Sequence, residues 1–343
     1  MKAAIYNPYW DTLGGGEIYS FSFAKALLEK GYDVYIQTPD PTLPKKLKVR
    51  FGVDTNNIQI VKDIKKGDGY DLCFWLSDGS IPLLHSRFNI LHFQFPFKNI
   101  NGSSLFNKMK LYRINKVICN SEFTKYFIDR EFKIKSSVLY PPVNIADIKS
   151  KRKENLILYV GRFSQLTQRK NQHILVDVFK KIYKKGYTDW KLVLAGGSEI
   201  GAYEYLKNII RKSKGYPIEI IKSPDRNIIT DLYGRAKIFW SAVGYGYDGL
   251  KDPMKVEHFG ITLVESMAAG VTPLVYNSGG YREIVEDGHS GFLWDKKSQL
   301  LKKTLQVIEN KKQLAGIGSA AKNAAKKFSY EVFEKNVYEI IGS

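Results

Sequence analysis

The feature that most constrains this chain is its rhythm. Short apolar runs alternate with helix-length amphipathic segments from one end to the other. Runs that short and that continuously apolar suit strands buried on both faces, and the segments between them suit covering helices. The combination is the pattern of parallel sheets built from strand–helix–strand units. In the first half, strands are expected at Lys2–Tyr6, Tyr32–Gln37, Ile58–Val61, Asp71–Leu76, Asn89–Phe93, Lys116–Asn120 and Ser137–Tyr140. Helices are expected at Gly16–Lys30, Ser104–Tyr112 and Ser121–Phe132.

The rhythm then restarts with strands at Asn155–Val160, Lys191–Ala195, Ile218–Lys222, Ile238–Ala242 and Thr272–Tyr276. Helices are expected at Asn171–Lys185, Gly201–Lys214, Arg226–Ala236 and Gly260–Ala269, with three more toward the end. A length of 343 residues exceeds the roughly 250–300 at which a single core stops growing, so two domains are expected. Tyr140-Pro141-Pro142-Val143-Asn144 is the best break, because paired prolines stop a strand and stiffen the connection. The expected division is residues 1–147, 148–328 and a closing helical segment 329–343, with the hinge near 144–153. The fold class is α/β, two doubly wound Rossmann-like domains whose strand ends face a common cleft, where ligands of open parallel sheets bind.

No apolar run approaches the roughly 18 residues that cross a bilayer, and the chain opens on strand-like residues without a signal-peptide pattern. A cytoplasmic location is therefore expected, with peripheral contact on the inner face of a membrane left open. Cys73 and Cys119 both sit in apolar strand runs, as buried reduced thiols would, and neither zinc-type cysteine and histidine spacing nor a disulfide framework is present. The net charge of +19 attracts phosphate-bearing partners such as a nucleotide sugar, an anionic lipid or nucleic acid. From Lys98 to Lys135 there are nine Lys or Arg against three acids, interleaved with aromatic residues. That stretch suits an ordinary basic helical surface, then an anionic membrane, and only after these a nucleic acid, which is not expected as a partner.

Three stretches carry chemistry. Asn7 to Glu17 holds Gly14-Gly15-Gly16 between a strand and a helix. Glycines there admit close backbone approach, and a helix N-terminus offers amides to phosphate. The same turn serves equally as a tight cap closed by Glu17. It is not the dinucleotide pattern, and no acidic residue ends the second strand as a ribose partner, which weakens a dehydrogenase. In the second stretch, Gly161-Arg162 ends a strand and Lys170 begins a helix. Converging there, the two cations can clamp a diphosphate and stabilise it as it departs.

The third stretch runs Glu257-His258-Phe259-Gly260-Ile261-Thr262-Leu263-Val264-Glu265. On a helix, glutamates eight residues apart stand about 12 Å apart at about 1.5 Å per residue. Glycosidases need carboxyl pairs at about 5–5.5 or 6.5–9.5 Å. A hydrolase pair is thus disfavoured, whereas contact with two ends of a long donor fits. Gly260, Ile261 and Thr262 again offer helix N-terminal amides to phosphate. His258, by contrast, suits a packed or surface side chain.

Taken together and in this order, these stretches resemble family 4 of the retaining glycosyltransferases, whose Glu-x7-Glu signature is matched by Glu257 and Glu265. Leu91-His92-Phe93, Ile118 to Phe123, Ala195-Gly196-Gly197-Ser198 and Asn277-Ser278-Gly279-Gly280 extend the likeness over nearly the whole chain. Gly14-Gly15-Gly16-Glu17, Tyr140-Pro141-Pro142 and Glu257 to Ile261 look most like mannosyltransferases of lipid-linked oligosaccharide or polysaccharide assembly.

The resemblance implies a GT-B fold whose last helix, Tyr330–Ile341, crosses back onto the first domain through Val332, Phe333, Val337, Ile340 and Ile341. It implies a nucleotide-sugar donor, GDP-mannose favoured over UDP-sugars, no metal, and a glycan or lipid-linked acceptor. Arg162 and Lys170 would hold the diphosphate with backbone amides of Gly15, Gly16 and Gly260 to Thr262. Glu265 would hold the ribose and Glu257 the transferred sugar, with His92 beside the reacting carbon, although from the residues alone His92 at a strand end serves equally as a core histidine. Lys170 follows Arg162 by eight residues where the family usually leaves five or six, so Arg169 competes for the clamp. The segment Gly244 to Pro253, rich in Gly and Tyr, is additional and suits a loop that closes over the donor. The rival readings are an epimerase or sucrose synthase type of GT-B enzyme, and a non-catalytic protein binding a nucleotide sugar or nucleic acid.

Overall fold

The opening run Lys2–Tyr6 becomes the inner strand β1 of an all-parallel sheet, with Ala3 opposite Val34 on one side and Leu72 on the other. The computed structural model describes all residues except 11–13, 52–56, 166–167, 199–200 and 343, and the side chains of 49–51. After β1 come α1 (Gly15–Glu29), β2 (Asp33–Gln37), α2 (Leu43–Phe51), β3 (Ile58–Val61), β4 (Leu72–Leu76) and β5 (Phe88–Phe93). Next are α3 (Leu105–Leu111), β6 (Lys116–Cys119), α4 (Glu122–Phe132) and β7 (Ser137–Val138). The seven strands lie in the order β3-β2-β1-β4-β5-β6-β7.

The second series runs β8 (Leu156–Val160), α5 (Gln172–Lys184), β9 (Lys191–Gly196), α6 (Tyr203–Ser213), β10 (Ile218–Lys222), α7 (Arg226–Arg235) and β11 (Ile238–Ser241). It continues with α8 (Ile261–Ala268), β12 (Thr272–Tyr276), α9 (Tyr281–Ile284), β13 (Phe292–Trp294), α10 (Lys297–Glu309) and α11 (Lys311–Ala325). Its six parallel strands follow the order β10-β9-β8-β11-β12-β13. In both sheets the order reverses beside the first strand of the series, as in doubly wound Rossmann-like domains. The chain divides into two compact units, Met1–Pro142 with Phe328–Ser343, and Val143–Lys327.

Each sheet is covered because its helices carry an apolar face. In α1, Tyr19, Phe23 and Leu27 recur every fourth residue and are buried in the first core with Ile5, Phe74 and Ile90. Burial of side chains this large contributes about 1.5–3 kcal/mol each. The final helix, α12 (Tyr330–Ile341), belongs to the first unit: Phe333 and Val337, one turn apart, enter the same core, and Phe333 meets the edge of Tyr19 at 5.4 Å. Val332, expected on that face, is 37% exposed, because the neighbour of a buried helical residue points about 100° away. Neither α2 nor β13 is expected from the sequence pattern. Cys73 and Cys119 are free and buried, and burial pushes both thiols up to about 12.

Candidate functional site

In the second unit, β8 and β9 end side by side with almost no room between them. A methyl group on Gly196 would stand 2.1 Å from the Gly161 carbonyl oxygen, and the Phe163 N–H donates to the Gly197 carbonyl at 2.7 Å. Arg162 emerges exposed from this turn. Its carbonyl accepts from the side-chain amide of Gln172 at 2.9 Å, which ties the loop to the first turn of α5.

Lys170, just before α5, is buried at 9% exposure. Its Nζ lies 3.3 Å from Glu257 Oε2 and 3.4 Å from Gln168 Oε1. The Gln168 amide in turn donates to the Val256 carbonyl at 2.9 Å, so residues 168–170 are laced to 256–257. Arg169 takes another direction, with its guanidinium 5.9 Å from the centre of the Tyr247 ring, where Lys255 also lies at 4.7 Å. Of the two candidates for the clamp, Lys170 is thus the one joined to the Glu-x7-Glu stretch. Tyr245, in the additional segment, anchors that segment against Tyr276 and Trp294 at 5.4 and 5.6 Å.

The stretch after Glu257 is folded by glycine. Gly260 caps α8 at φ +118° without a side-chain hydrogen bond, and its carbonyl accepts from Leu263 and Val264. The amides of Ile261 and Thr262 stand ahead of those first intrahelical bonds, where a helix N-terminus offers donors to an anion. A methyl at Gly260 would meet Tyr281 Cε1 at 2.6 Å. That ring is buried and its hydroxyl is bonded to Ser241 at 2.8 Å. Replacing Gly260 by Ala is therefore expected to cost at least about 2 kcal/mol in backbone strain and overpacking, read as a lower denaturant midpoint. Gly316→Ala, in the open interior of α11, should instead leave the midpoint unchanged or raise it. Equal shifts in the two variants would refute the steric argument. Gly280 donates to the Glu257 carbonyl at 2.8 Å, and buried His258 contacts the Pro253 carbonyl at 3.2 Å, a packing role.

Glu265 faces inward from α8 at 7% exposure. Its Oε2 accepts from the Tyr233 hydroxyl at 2.9 Å, and its Oε1 is ion-paired with Arg226. Sequence reasoning missed both partners. They come from α7, more than thirty residues away, and nothing in the local pattern marks them. Lys153 steadies the other end of α8 by donating to the Ala269 carbonyl at 2.8 Å. A cation is favoured at a helix C-terminus, although burial holds this amine down at about 8.

In the first unit, the glycine-rich turn is clamped from inside. The Asn7 side chain donates to the Gly16 carbonyl and to Ser20, and Glu17 accepts from the Gly14 N–H at 2.8 Å. The cap by Glu17 therefore coexists with the glycines at the start of α1. Residues 11–13 of this stretch, like Leu166 and Thr167 of the Arg162 loop, lie outside the described residues.

Of the two readings of His92, the structure favours the core histidine. Its ring is fully buried, stacked on Tyr19 at 4.0 Å and 9°, and neither nitrogen has a hydrogen-bond partner. Burial holds its pKa down at about 3. An imidazole in that position packs the core and presents nothing to a ligand. Gln94, just past the end of β5, also reaches the glycine turn. Its side-chain amide lies 2.4 Å from where a methyl on Gly16 would be, and its backbone carbonyl accepts from the Asn120 side chain at 3.1 Å.

Residues 142–324 match the family Glycosyl transferases group 1. The chain is 25% identical to an uncharacterized glycosyltransferase of Methanocaldococcus jannaschii, covering 96% of this chain and 95% of that one. It is 26% identical to an alpha-1,3/1,6-mannosyltransferase of Dictyostelium discoideum, over 76% of this chain and 72% of the relative. The fold is shared with GT-B enzymes. An Anabaena protein solved in complex with UDP superposes with a TM-score of 0.77 at 16% identity, and a sucrose-phosphate synthase of Thermosynechococcus elongatus with 0.75 at 16%. The alignments cover 99% of this chain in both cases, and 99% and 98% of those two proteins respectively.

Proposed function

The chain belongs to the group 1 glycosyl transferases, and on that premise we propose that it is a retaining, metal-independent enzyme of family 4 type. In this reading it moves a hexose, mannose by preference, from a nucleoside diphosphate sugar to a glycan or lipid-linked acceptor. The preference for mannose, with GDP-mannose as donor ahead of UDP-sugars, rests on relatives named as mannosyltransferases at low identity. The observation that carries the reading is the Lys170–Glu257 pair at 3.3 Å beside the start of α8, with Glu265 held eight residues on.

Lys170 and Arg162 receive the diphosphate, and the amides of Gly260, Ile261 and Thr262 supply further donors to it. Gly15 and Gly16 would add backbone donors to phosphate. Glu257 accepts from hydroxyls of the sugar, and Glu265 from those of the ribose. The bond from the anomeric carbon to the phosphate oxygen breaks, and its electron pair leaves with the diphosphate. The acceptor oxygen bonds to the same face and gives its proton to the departing oxygen. Stabilising that developing charge is the protein's main contribution.

The test is a panel of radiolabelled GDP- and UDP-sugars without acceptor or divalent ion, reading release of free sugar. Slow hydrolysis of one donor, insensitive to chelator and lost in Arg162→Ala and Glu265→Ala, is expected. Binding of no nucleotide sugar at all would remove the donor assignment.

A further inference from the structure

The helix α3 is unlike every other helix of its unit in burying none of its residues. Its large apolar side chains instead face solvent: Leu105 is 76% exposed, Phe106 66%, Met109 66% and Tyr112, just past its end, 92%. At about 100° per residue, Leu105, Met109 and Tyr112 fall within about 60° of one another, with Phe106 about 60° further round. Lys108 and Lys110 flank this stripe on its two sides, and the Lys110 amine lies 4.2 Å from the centre of the Phe106 ring.

The helix is not loosely hung. Ser104 caps it by accepting from Asn107, Glu131 accepts from the amides of Asn99, Ile100 and Gly102 just ahead of it, and Leu111 packs on the core from its opposite side. Single exposed apolar residues are ordinary, but four on one stripe of one short helix mark an interaction surface. Lys108 and Lys110 beside the stripe, with nine Lys or Arg against three acids between residues 98 and 135, favour an anionic partner.

We propose that α3 is a membrane-docking face, laid into the interface of an anionic bilayer with Leu105, Phe106, Met109 and Tyr112 inserted and the lysines on the headgroups. A second copy of this chain fits less well, because pairing the stripe with itself would oppose Lys108 and Lys110 to their own kind. Among the described residues no helix is long and apolar enough to cross a membrane, and a docked surface helix needs none. This inference deepens the proposed function, and rests on it, only in placing the enzyme where a lipid-linked acceptor would be met.

The experiment is flotation of the full chain with phosphatidylcholine vesicles, with and without about one third phosphatidylglycerol. It compares wild type with Phe106→Ser/Met109→Ser and with Lys108→Gln/Lys110→Gln. Wild type should float only with the anionic vesicles and release at high salt. The serine pair should lose at least about tenfold in binding, and the glutamine pair about 30-fold. Donor hydrolysis in solution should be unchanged in both, so that failure of the docking face and failure of the transferase reading are told apart. Vesicle binding equal to wild type in both variants would overturn the proposal. So would a wild-type dimer that these substitutions dissociate, with no vesicle binding.

Discussion

Replacing Lys170 by Ala is expected to lower kcat/KM for the nucleotide-sugar donor by about 10²–10³-fold, the usual cost of deleting one preorganised donor to a developing negative charge. The side chains of Lys170 and Glu257 are only 11% and 18% exposed, so their charges are weakly screened and the site is already organised before a ligand arrives. Deletion acts twice. It removes a cation from the departing diphosphate, and it leaves the Glu257 carboxylate without its counter-ion close to the α8 amides that should attract phosphate. Both kcat and KM should therefore worsen. Arg169→Ala, whose guanidinium stands against Tyr247, should stay within about threefold of wild type. Steady-state donor hydrolysis on the two variants decides the matter. A collapse in Arg169→Ala with Lys170→Ala unaffected would hand the clamp to Arg169.

That distinction illustrates what the sequence could and could not say. The strands were legible because each is a short apolar run between turn residues: Leu156–Val160 is buried at every position, and the periodicity of α5 and α12 marks their inner faces. The helix α2 was not, since Leu43-Pro44-Lys45-Lys46 resembles a polar turn, and three-residue β13 is too short for any period to show. In the proposed site, Arg162, Lys170, Glu257, Gly260 and Glu265 stand out by residue type and spacing near strand ends and helix starts. Their pairing does not. Whether Lys170 or Arg169 meets Glu257 depends on how residues 168–170 turn. The hold of Arg226 and Tyr233 on Glu265 is a tertiary contact without a local signature. His92 stays open between core and site in the sequence for a related reason: β5 is buried on both faces, so alternation of polarity cannot tell which side of the strand the ring takes.

The buried imidazole has a consequence that separates the two readings of His92. Its pKa is about 3 in the folded chain against about 6.5 in an unfolded one. Between those values the unfolded state binds a proton that the folded state refuses. Stability contributed by the neutral ring is therefore complete above pH 6.5 and is lost as pH falls toward 3, by about 1.4 kcal/mol per unit. At pH 4.5 the loss is about 2.7 kcal/mol on that slope. His92→Phe keeps an aromatic plane against Tyr19 and removes the titration. Urea unfolding at pH 7 and 4.5 should then show a smaller acid loss in the variant than in wild type, whatever the carboxylates contribute, because their titration is common to both. Equal losses would mean that the ring is solvated and able to protonate in the folded state. Donor hydrolysis by the same variant gives a second readout. Activity within about threefold of wild type at pH 7 is expected of a residue that packs Tyr19 onto the sheet, whereas a fall of about 10²-fold or more, the scale of a lost acid–base group, would restore His92 to the reacting centre.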